Sequence, residues 1–303
     1  MPPAASLPAV ALAAVPGRRR ATLELAREVE RRGFSGIYCA SFGDGMALCE
    51  ALALVTERIR FGTAIANLYM RHASDYAQHA AFIHELSGGR FHFGVGVSHA
   101  PLNRRIGVAA GKPLADSRRF AETYQKTHAG ELAPLVLAAL RHKMVALAGE
   151  LAQGVVFANV ARSHVPASLA ALPPAKRNDP TFFVGNMIPV CISEDRAAAA
   201  ARNRRTLNLY LNLPNYRNYW REAGYDDEMD RVEKALAAGE RERVHELVSE
   251  RWLADVSLFG SAAEVREGAL AWREAGVGTP ILVPSSAAGN QQKAFEELFA
   301  AFA

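Results

Sequence analysis

An α/β fold built on a parallel sheet is what this sequence predicts, and three observations carry the prediction. First, residues 58–98, RIRFGTAIANLYMRHASDYAQHAAFIHELSGGRFHFGVGVS, hold two short apolar segments, 59–65 and 91–97, joined by a helix over 73–86. A strand, a crossover of about twenty residues and a second strand is the unit that gives parallel pairing. Second, both segments end on small or polar residues, Gly62-Thr63-Ala64 and Gly94-Val95-Gly96-Val97-Ser98-His99. Small residues there let a flat or phosphorylated ligand approach the backbone, and ligands of parallel α/β folds sit at the carboxyl ends of strands. Third, 303 residues allow one large domain or two small ones, and a (β/α)8 barrel runs roughly 250 residues as a single domain.

Taken in order, a strand over 7–14 leads into a helix over 18–32, with Leu23, Ala26 and Val29 on its buried face and Gly33 at its stop. A second strand covers 37–40 and a helix rich in Ala and Leu covers 46–56. The helix over 73–86 shows the stripe Ala73, Ala77, Ala80, Ala81, Leu86 and ends before Ser87-Gly88-Gly89. The fourth helix starts near Leu114 with Asp116 in its first turn, where a carboxylate suits the helix dipole. Strands follow over 134–138, 154–158, 184–192 and 280–283, with a helix over 143–151. Residues 193–255 form a charged, largely helical excursion between the seventh and eighth strands, too large for a plain connection. One domain over 1–303 with this insertion is the expected organisation.

Half of the residues are apolar and 22% are charged, proportions of a globular enzyme with a full core. Cys39, Cys49 and Cys191 are odd in number and show no CxxC spacing, which points to a reducing compartment and no structural zinc. A net charge of +4 with scattered basic pairs, Arg104-Arg105, Arg118-Arg119 and Arg204-Arg205, reads as a solvated face and not as a nucleic-acid surface. An anionic cofactor tail is a better use for some of them. The apolar run 7–15 precedes its basic cluster, the reverse of a secretory signal, and is too short to span a bilayer. A cytoplasmic protein acting on a small molecule is expected, with no membrane partner and a homo-oligomer left open.

No nucleophile motif is present: GxSxG, HExxH and the phosphate-binding Walker pattern are all missing. His72, His79 and His84 do not share a helix face, so no metal site is expected. GVGVSH lacks the third glycine and the following helix of a dinucleotide fingerprint.

LSGGRFHFGVGVSH, preceded by TERIRFGTAIANLYMRH, resembles the luciferase-like flavin and deazaflavin oxidoreductases. AREVERRGFSGIYCA, GVAAGKPLADSRRFAE, LVLAALRHKMVALAGELAQGVVF and FGSAAEVREGALAWREAGVGTPILVP agree with that family in order and content. The resemblance implies a (β/α)8 TIM barrel binding FMN or coenzyme F420. It implies a non-prolyl cis peptide in a bulge of the third strand, at Thr63, Ala64 and Ile65, supporting one face of an isoalloxazine-like ring. Val97, Ser98, His99 and Asn103 fall where related enzymes contact the ring or its ribityl chain; His99 also reads as an ordinary loop histidine. For the phosphate, the turn Ala139, Leu140, Arg141, His142 opens a helix and so offers backbone N–H groups and positive potential. The family's glycines are missing from that turn, and Arg141 and His142 compensate through direct charge-assisted contacts, unless this is a plain strand-to-helix turn. Tyr69, Tyr216 and Trp220 are the candidate substrate-pocket residues; Tyr216, Tyr219 and Trp220 equally suit holding the excursion in place.

Two departures bear on mechanism. Family members carry some tens of residues between the fourth helix and the fifth strand, whereas here SRRFAETYQ runs almost at once into KTHAGELAPLVLAAL. Either the lid over the site is naturally short or a segment is missing from this sequence around Gln125-Lys126, and the well-matched flanking blocks favour a missing segment. After the second strand, many deazaflavin-dependent members have an acidic residue and a histidine; here the chain reads Cys39-Ala40-Ser41-Phe42-Gly43-Asp44. Ser41 stands nearest that histidine's position as the candidate catalytic residue, and neither it nor Asp44 replaces an imidazole titrating near neutrality. Direct hydride transfer, for which the cofactor carries the chemistry, needs no such base. GKPLADSRRF and NLYMRH resemble the deazaflavin branch more than the bacterial luciferases, and that resemblance implies hydride transfer from reduced coenzyme F420 to an electrophilic C=C, C=N or C=O. An FMNH2-dependent monooxygenase of the same fold and a non-catalytic flavin- or deazaflavin-binding protein are the alternatives.

Overall fold

The computed structural model describes residues 7–41 and 43–303; the first six residues of the leading segment lie outside them. Strands among the described residues are β1 Ala9–Leu12, β2 Gly36–Ala40, β3 Arg60–Ala64, β4 Ala66–Asn67, β5 Phe91–Gly96, β6 Leu135–Ala138, β7 Gly154–Ala158, β8 Phe183–Ile192, β9 Leu258–Gly260 and β10 Thr279–Ser285. The fold is a (β/α)8 barrel, in which β4 and β9 are short additions to the eight principal strands. Two compact units share the chain. The first runs to Phe157 and adds Leu169–Gly185; the second comprises Ala158–Ser168 and Asn186–Ala303.

In the first unit the strands pair in parallel, Val10 with Ile37, Ile37 with Phe61, Phe61 with Phe91, Phe93 with Leu135 and Leu137 with Val155. These residues face the helices. Phe93 stacks on Tyr124 at 5.4 Å and meets Tyr76 at 5.3 Å, while Tyr76 meets Phe120 at 5.8 Å. The neighbouring positions point the other way, where Phe183 meets Tyr38 at 5.3 Å and His92 at 5.4 Å.

Two charged residues tie down the amino ends of these strands. The Glu30 carboxylate accepts N–H bonds from Glu57, Arg58 and Ile59 at 2.7–3.1 Å. Burial pushes its pKa up, but those three donors outweigh burial and the net shift is downward. Arg90 donates to the carbonyls of Ala53, Thr56, Ile59 and Ser87 and to the Thr56 hydroxyl, and lies over the Phe61 ring.

The helix Ala73–Leu86 has the expected bounds and buries Ala73, Tyr76, Ala77, Ala80, Ala81, Ile83 and His84. Leu86, expected on that stripe, is 40% exposed, because the turn at Gly88 and Gly89 follows it at once. In the helix Arg19–Arg31, Thr22 takes the buried place expected for Leu23; its hydroxyl returns a bond to the Arg18 carbonyl. A further helix, Ala100–Arg105, was not foreseen; Pro101 fits its first turn instead of breaking it. The helix Pro113–Lys126 runs unbroken through the shortened region, and Tyr124 Oη then bonds the Ala133 carbonyl at 2.8 Å.

The second unit pairs β8 with β9, Val190 to Leu258 through Ile192 to Gly260, and β8 also with β10. The excursion is helical, as expected: Arg196–Leu211, Pro214–Glu222, Asp226–Ala237 and Glu250–Val256. Its interior is aromatic, with Trp220 edge-on to Trp252 at 4.8 Å and Tyr216 5.5 Å from Trp220.

Candidate functional site

The third strand slips by one residue where the sequence places its bulge. Gly62 pairs with His92, but Ala66 pairs with Val95, so the first chain carries one residue more over this interval. The peptide between Ala64 and Ile65 is cis. The Ile65 side chain lies against Gly94 and Gly96, and a Cβ at Gly94 would overlap the Thr63 carbonyl oxygen. Thr63 donates its hydroxyl to the Gly94 carbonyl at 2.6 Å. Small residues are thus required here by the close approach of two backbones, and the half-exposed Ile65 forms an apolar shelf at the carboxyl ends of β3 and β5.

Ser41 anchors this shelf. Its Oγ donates to the Ile65 carbonyl at 2.9 Å and accepts the Ile65 N–H at 3.3 Å. Asp44 serves the helix Gly45–Val55 as N-cap, accepting from the N–H groups of Met46 and Ala47 at 3.1 Å, and its second oxygen pairs with Arg71 at 3.3 Å. Arg71 also donates to His79 Nδ1 at 2.8 Å. Since a guanidinium only donates, that nitrogen is unprotonated and Nε2 carries the proton toward Glu50, 3.3 Å away.

Beyond β5, Ser98 adopts φ 56°, the left-handed region where L side chains are uncommon, and turns the chain so that His99 is half-buried. Burial lowers the His99 pKa, so its imidazole is neutral at pH 7. Asn103 is 3% exposed; its amide donates to the Val97 carbonyl and its oxygen accepts from Asn67, both at 2.9 Å. Asn67 Oδ1 takes the Tyr69 N–H. The Tyr69 hydroxyl donates to Asp116 at 2.6 Å, and Asp116 also takes a bond from Arg119 at 2.6 Å. Burial, then the Asp116 carboxylate, raises the Tyr69 pKa. Val97, Asn103, Asn67, Tyr69 and Asp116 therefore form one polar strap along the mouth of the first unit. Asn67, Arg71 and Asp116 went unnoticed in the sequence as site residues. Asn67, four residues past Thr63, and Asp116 in a helix's first turn were the available signals, but their partners lie 36 and 47 residues away.

At the fifth strand's end, Ala139 N–H bonds the Val156 carbonyl. Arg141 is the N-cap of the helix His142–Leu151, which has no side-chain cap, and both Arg141 and His142 are exposed.

The sequence profile of the luciferase-like monooxygenases matches residues 5–279. The chain belongs to that family. Similar proteins include one from Mycobacterium tuberculosis named as a presumptive coenzyme F420-dependent oxidoreductase, 25% identical over 315 residues and covering 87% of this chain and 90% of its own. Among solved structures, the coenzyme F420-dependent tetrahydromethanopterin reductase of Methanopyrus kandleri superposes with a TM-score of 0.77 over 98% of both chains, at 18% identity. The oxygenating constituent of 3,6-diketocamphane monooxygenase from Pseudomonas putida, in complex with FMN, superposes with a TM-score of 0.62 over 99% of this chain and 96% of its own, at 13% identity.

Within this luciferase-like chain, the sequence-derived residues fall into both units. Tyr69 and the residues from Ser41 to His142 belong to the first. Tyr216 and Trp220 belong to the second, where they are buried; Trp220 Nε1 donates to the Asn159 carbonyl at 3.1 Å. Tyr219 accepts the Ala161 N–H at 3.2 Å. Asp255 gathers the Ser163 N–H and hydroxyl and the Tyr225 hydroxyl at 2.6–2.9 Å. Among the described residues no group of three or more His, Cys, Asp or Glu is arranged to hold a metal ion, and no helix is long and apolar enough to cross a membrane.

Proposed function

We propose that this luciferase-like enzyme uses coenzyme F420, moving a hydride between the deazaflavin and an electrophilic C=C, C=N or C=O of a small organic substrate. The observation that carries the reading is the slipped strand at 63–65. It lays Ile65 against two glycines and presents an apolar side chain at the end of the strands where ligands of such barrels bind. The residues present fit such a group: Ile65 for the ring, half-buried His99 just past β5, and the start of His142–Leu151, which has no side-chain cap, with Arg141 for a phosphate. Full-length likeness to F420-dependent relatives favours the deazaflavin over FMN.

When bound, the deazaflavin supplies the hydride. The protein's part is orientation. Thr63, Ala64 and Ile65 support one ring face, with Ser41 fixing the Ile65 backbone. Val97, Ser98, His99 and Asn103 border the ring and its ribityl chain, and Ala139, Leu140, Arg141 and His142 receive the phosphate. Tyr69 lines the substrate side; its proton is held by Asp116, so it positions substrate and does not act as an acid. Tyr216 and Trp220 are the proposed substrate-pocket residues of the second unit, where both are buried. Ser41 takes the place of a general acid without performing that role, because both its bonds are to backbone.

An FMNH2-dependent monooxygenase is the second reading, favoured by the likeness to the FMN-bound camphane enzyme. A spectral titration of the purified protein with FMN and with coenzyme F420 separates them. We expect saturable binding of F420 and at least tenfold weaker binding of FMN, about 1.4 kcal/mol. The reverse order would move the protein to the monooxygenase branch, and binding of neither would remove both readings.

A further inference from the structure

Cys39 and Cys49 bring two thiols together directly behind the slipped strand. Cys39 lies on β2 and pairs in register with Leu12 of β1 and Thr63 of β3. Cys49 lies on the helix Gly45–Val55, and its thiol donates to the Cys39 sulfur at 3.5 Å. Both are free thiols and both are buried, at 1% and 0% exposure. The helix begins close by: a Cβ at Gly45 would lie 3.6 Å from the Cys39 Cβ and 3.5 Å from the Thr63 Cγ2. Between the two cysteines in sequence come Ser41, which holds the Ile65 backbone, and Asp44, which caps the helix and meets Arg71. Cys191 belongs to the second unit.

We propose that Cys39 and Cys49 are a redox-modification site: a hydroperoxide joins their sulfurs as a reversible disulfide, which ties the helix Gly45–Val55 to β2 and loosens the Ser41–Ile65 anchor. Burial, then Cys39 and the Asp44 carboxylate, hold the Cys49 thiol well above the usual thiol range, so Cys49 keeps its proton. Cys39 is then the sulfur that attacks. It loses its proton and takes one peroxide oxygen as the O–O bond breaks, becoming a sulfenic acid while the other oxygen leaves as alcohol or water. The Cys49 sulfur next attacks the sulfenic sulfur; the S–O bond breaks, and the hydroxyl departs as water with the Cys49 proton. Each sulfur gives up one electron, and each peroxide oxygen gains one.

Burial makes the first step slow. The second is quick, because the resolving thiol already touches its target. That order halts oxidation at the disulfide, which thiols reverse, before the irreversible sulfinic acid forms. A disulfide holds its sulfurs at about 2.05 Å, well inside the 3.5 Å of the two thiols. Since β2 is paired on both edges, the adjustment falls on the helix and on the segment that carries Ser41. The consequence for cofactor binding rests on the function proposed above for the Ile65 shelf; the cross-link does not.

The test uses the reduced full chain, treated with hydrogen peroxide at pH 7 and at about pH 8.5, then unfolded, alkylated and digested with trypsin. Both cysteines fall in one peptide, residues 33–58. After treatment that peptide should take up no alkyl group and should regain both sites with dithiothreitol, while Cys191 is alkylated throughout. Cleavage before Asp44 should leave its halves joined, and the reaction should run faster at the higher pH, where more thiolate is present. A peptide that stays doubly alkylated, or that carries a sulfinic acid, would overturn the proposal. Cys49→Ala should let Cys39 run on to sulfinic acid, and Cys39→Ala should leave Cys49 a thiol; the opposite pattern would overturn the assigned roles. If a variant fails to fold, the peptide map of the native protein decides alone. In the oxidised native protein the Ile65 amide should exchange with deuterium at least about fivefold faster, and affinity for F420 or FMN should fall at least about threefold. An unchanged Ile65 amide would overturn the link to Ser41. Should neither cofactor bind, the shelf reading fails, while the peptide map and the Ile65 amide still decide the dithiol.

Discussion

The first unit keeps its strand ends open with small residues and ties the surrounding loops by polar side chains reaching to backbone. The second closes its interior with rings. In the first, Gly94 and Gly96 leave room for Ile65, and Ser41, Asn103, Asn67 and Asp116 use their hydrogen bonds to hold loops in place. In the second, Trp220, Trp252, Tyr219 and Trp272 are fully buried, and Asp255 turns its carboxylate on its own neighbours. The difference lies at the strand ends, since both units have ring-filled cores: the first leaves small residues and a half-exposed Ile65 there, and the second packs its excursion with buried rings.

Trp220→Ala should show the largest effect, because it removes a fully buried ring and the donor to the Asn159 carbonyl. A loss of about 3–5 kcal/mol in unfolding free energy is expected, read by urea denaturation. Trp220→Phe sharpens the comparison. If the ring only packs, Phe restores most of the stability and leaves KM unchanged; if Trp220 also supports the substrate side, KM rises severalfold while cofactor affinity does not move. A fall in cofactor affinity with either variant would break the division between the units.

Next in size is a pH effect inside the first unit. Burial, then the nearby Arg60 guanidinium and the His84 side chain, lower the His92 pKa from 6.5 to about 4. The folded chain keeps this imidazole neutral while the unfolded chain takes up a proton, so the group's contribution is fully present above pH 6.5 and fades as pH falls toward 4. The most it can withdraw is about 3 kcal/mol. Urea midpoints for the native protein and His92→Gln, compared at pH 7 and pH 4.5, isolate it from the carboxylates: the native protein should lose more than the variant. Parallel losses would mean that His92 is solvated.

Much of this was legible in the sequence where one local signal suffices. The helix Ala73–Leu86 and the strand Gly154–Ala158 have the expected bounds, since a periodic stripe with a glycine stop, or a short apolar run, is complete within its own residues. The bulge at Thr63, Ala64 and Ile65 came only through family resemblance; a one-residue slip is a relation between two strands thirty residues apart and leaves no periodic trace. The strap through Asn67, Tyr69 and Asp116 was invisible for the same reason. Short elements such as Leu258–Gly260 and Ala100–Arg105 escape because three to six residues carry too little pattern. Leu86 misled, since periodicity assigns a face but not where the neighbouring element stops covering it.

The smallest effect, and the most informative about mechanism, belongs to Ser41→Ala. The hydroxyl makes two bonds, both to the Ile65 backbone, and the side chain is exposed. A bond of this kind contributes about 0.5–1.5 kcal/mol net, toward the low end where water competes. Losing the pair should loosen the shelf and weaken cofactor binding by roughly threefold to tenfold. Turnover at saturating cofactor should fall less than about tenfold, well short of the 10²–10⁴ typical of losing a general acid or base. Because an anchor and a proton donor differ in which constant they move, the ratio of the two effects decides between them. A variant that binds cofactor as tightly as the native enzyme but loses more than about a hundredfold in turnover would make Ser41 a proton donor. The first unit would then hold a reacting group of its own, besides the geometry that supports a cofactor.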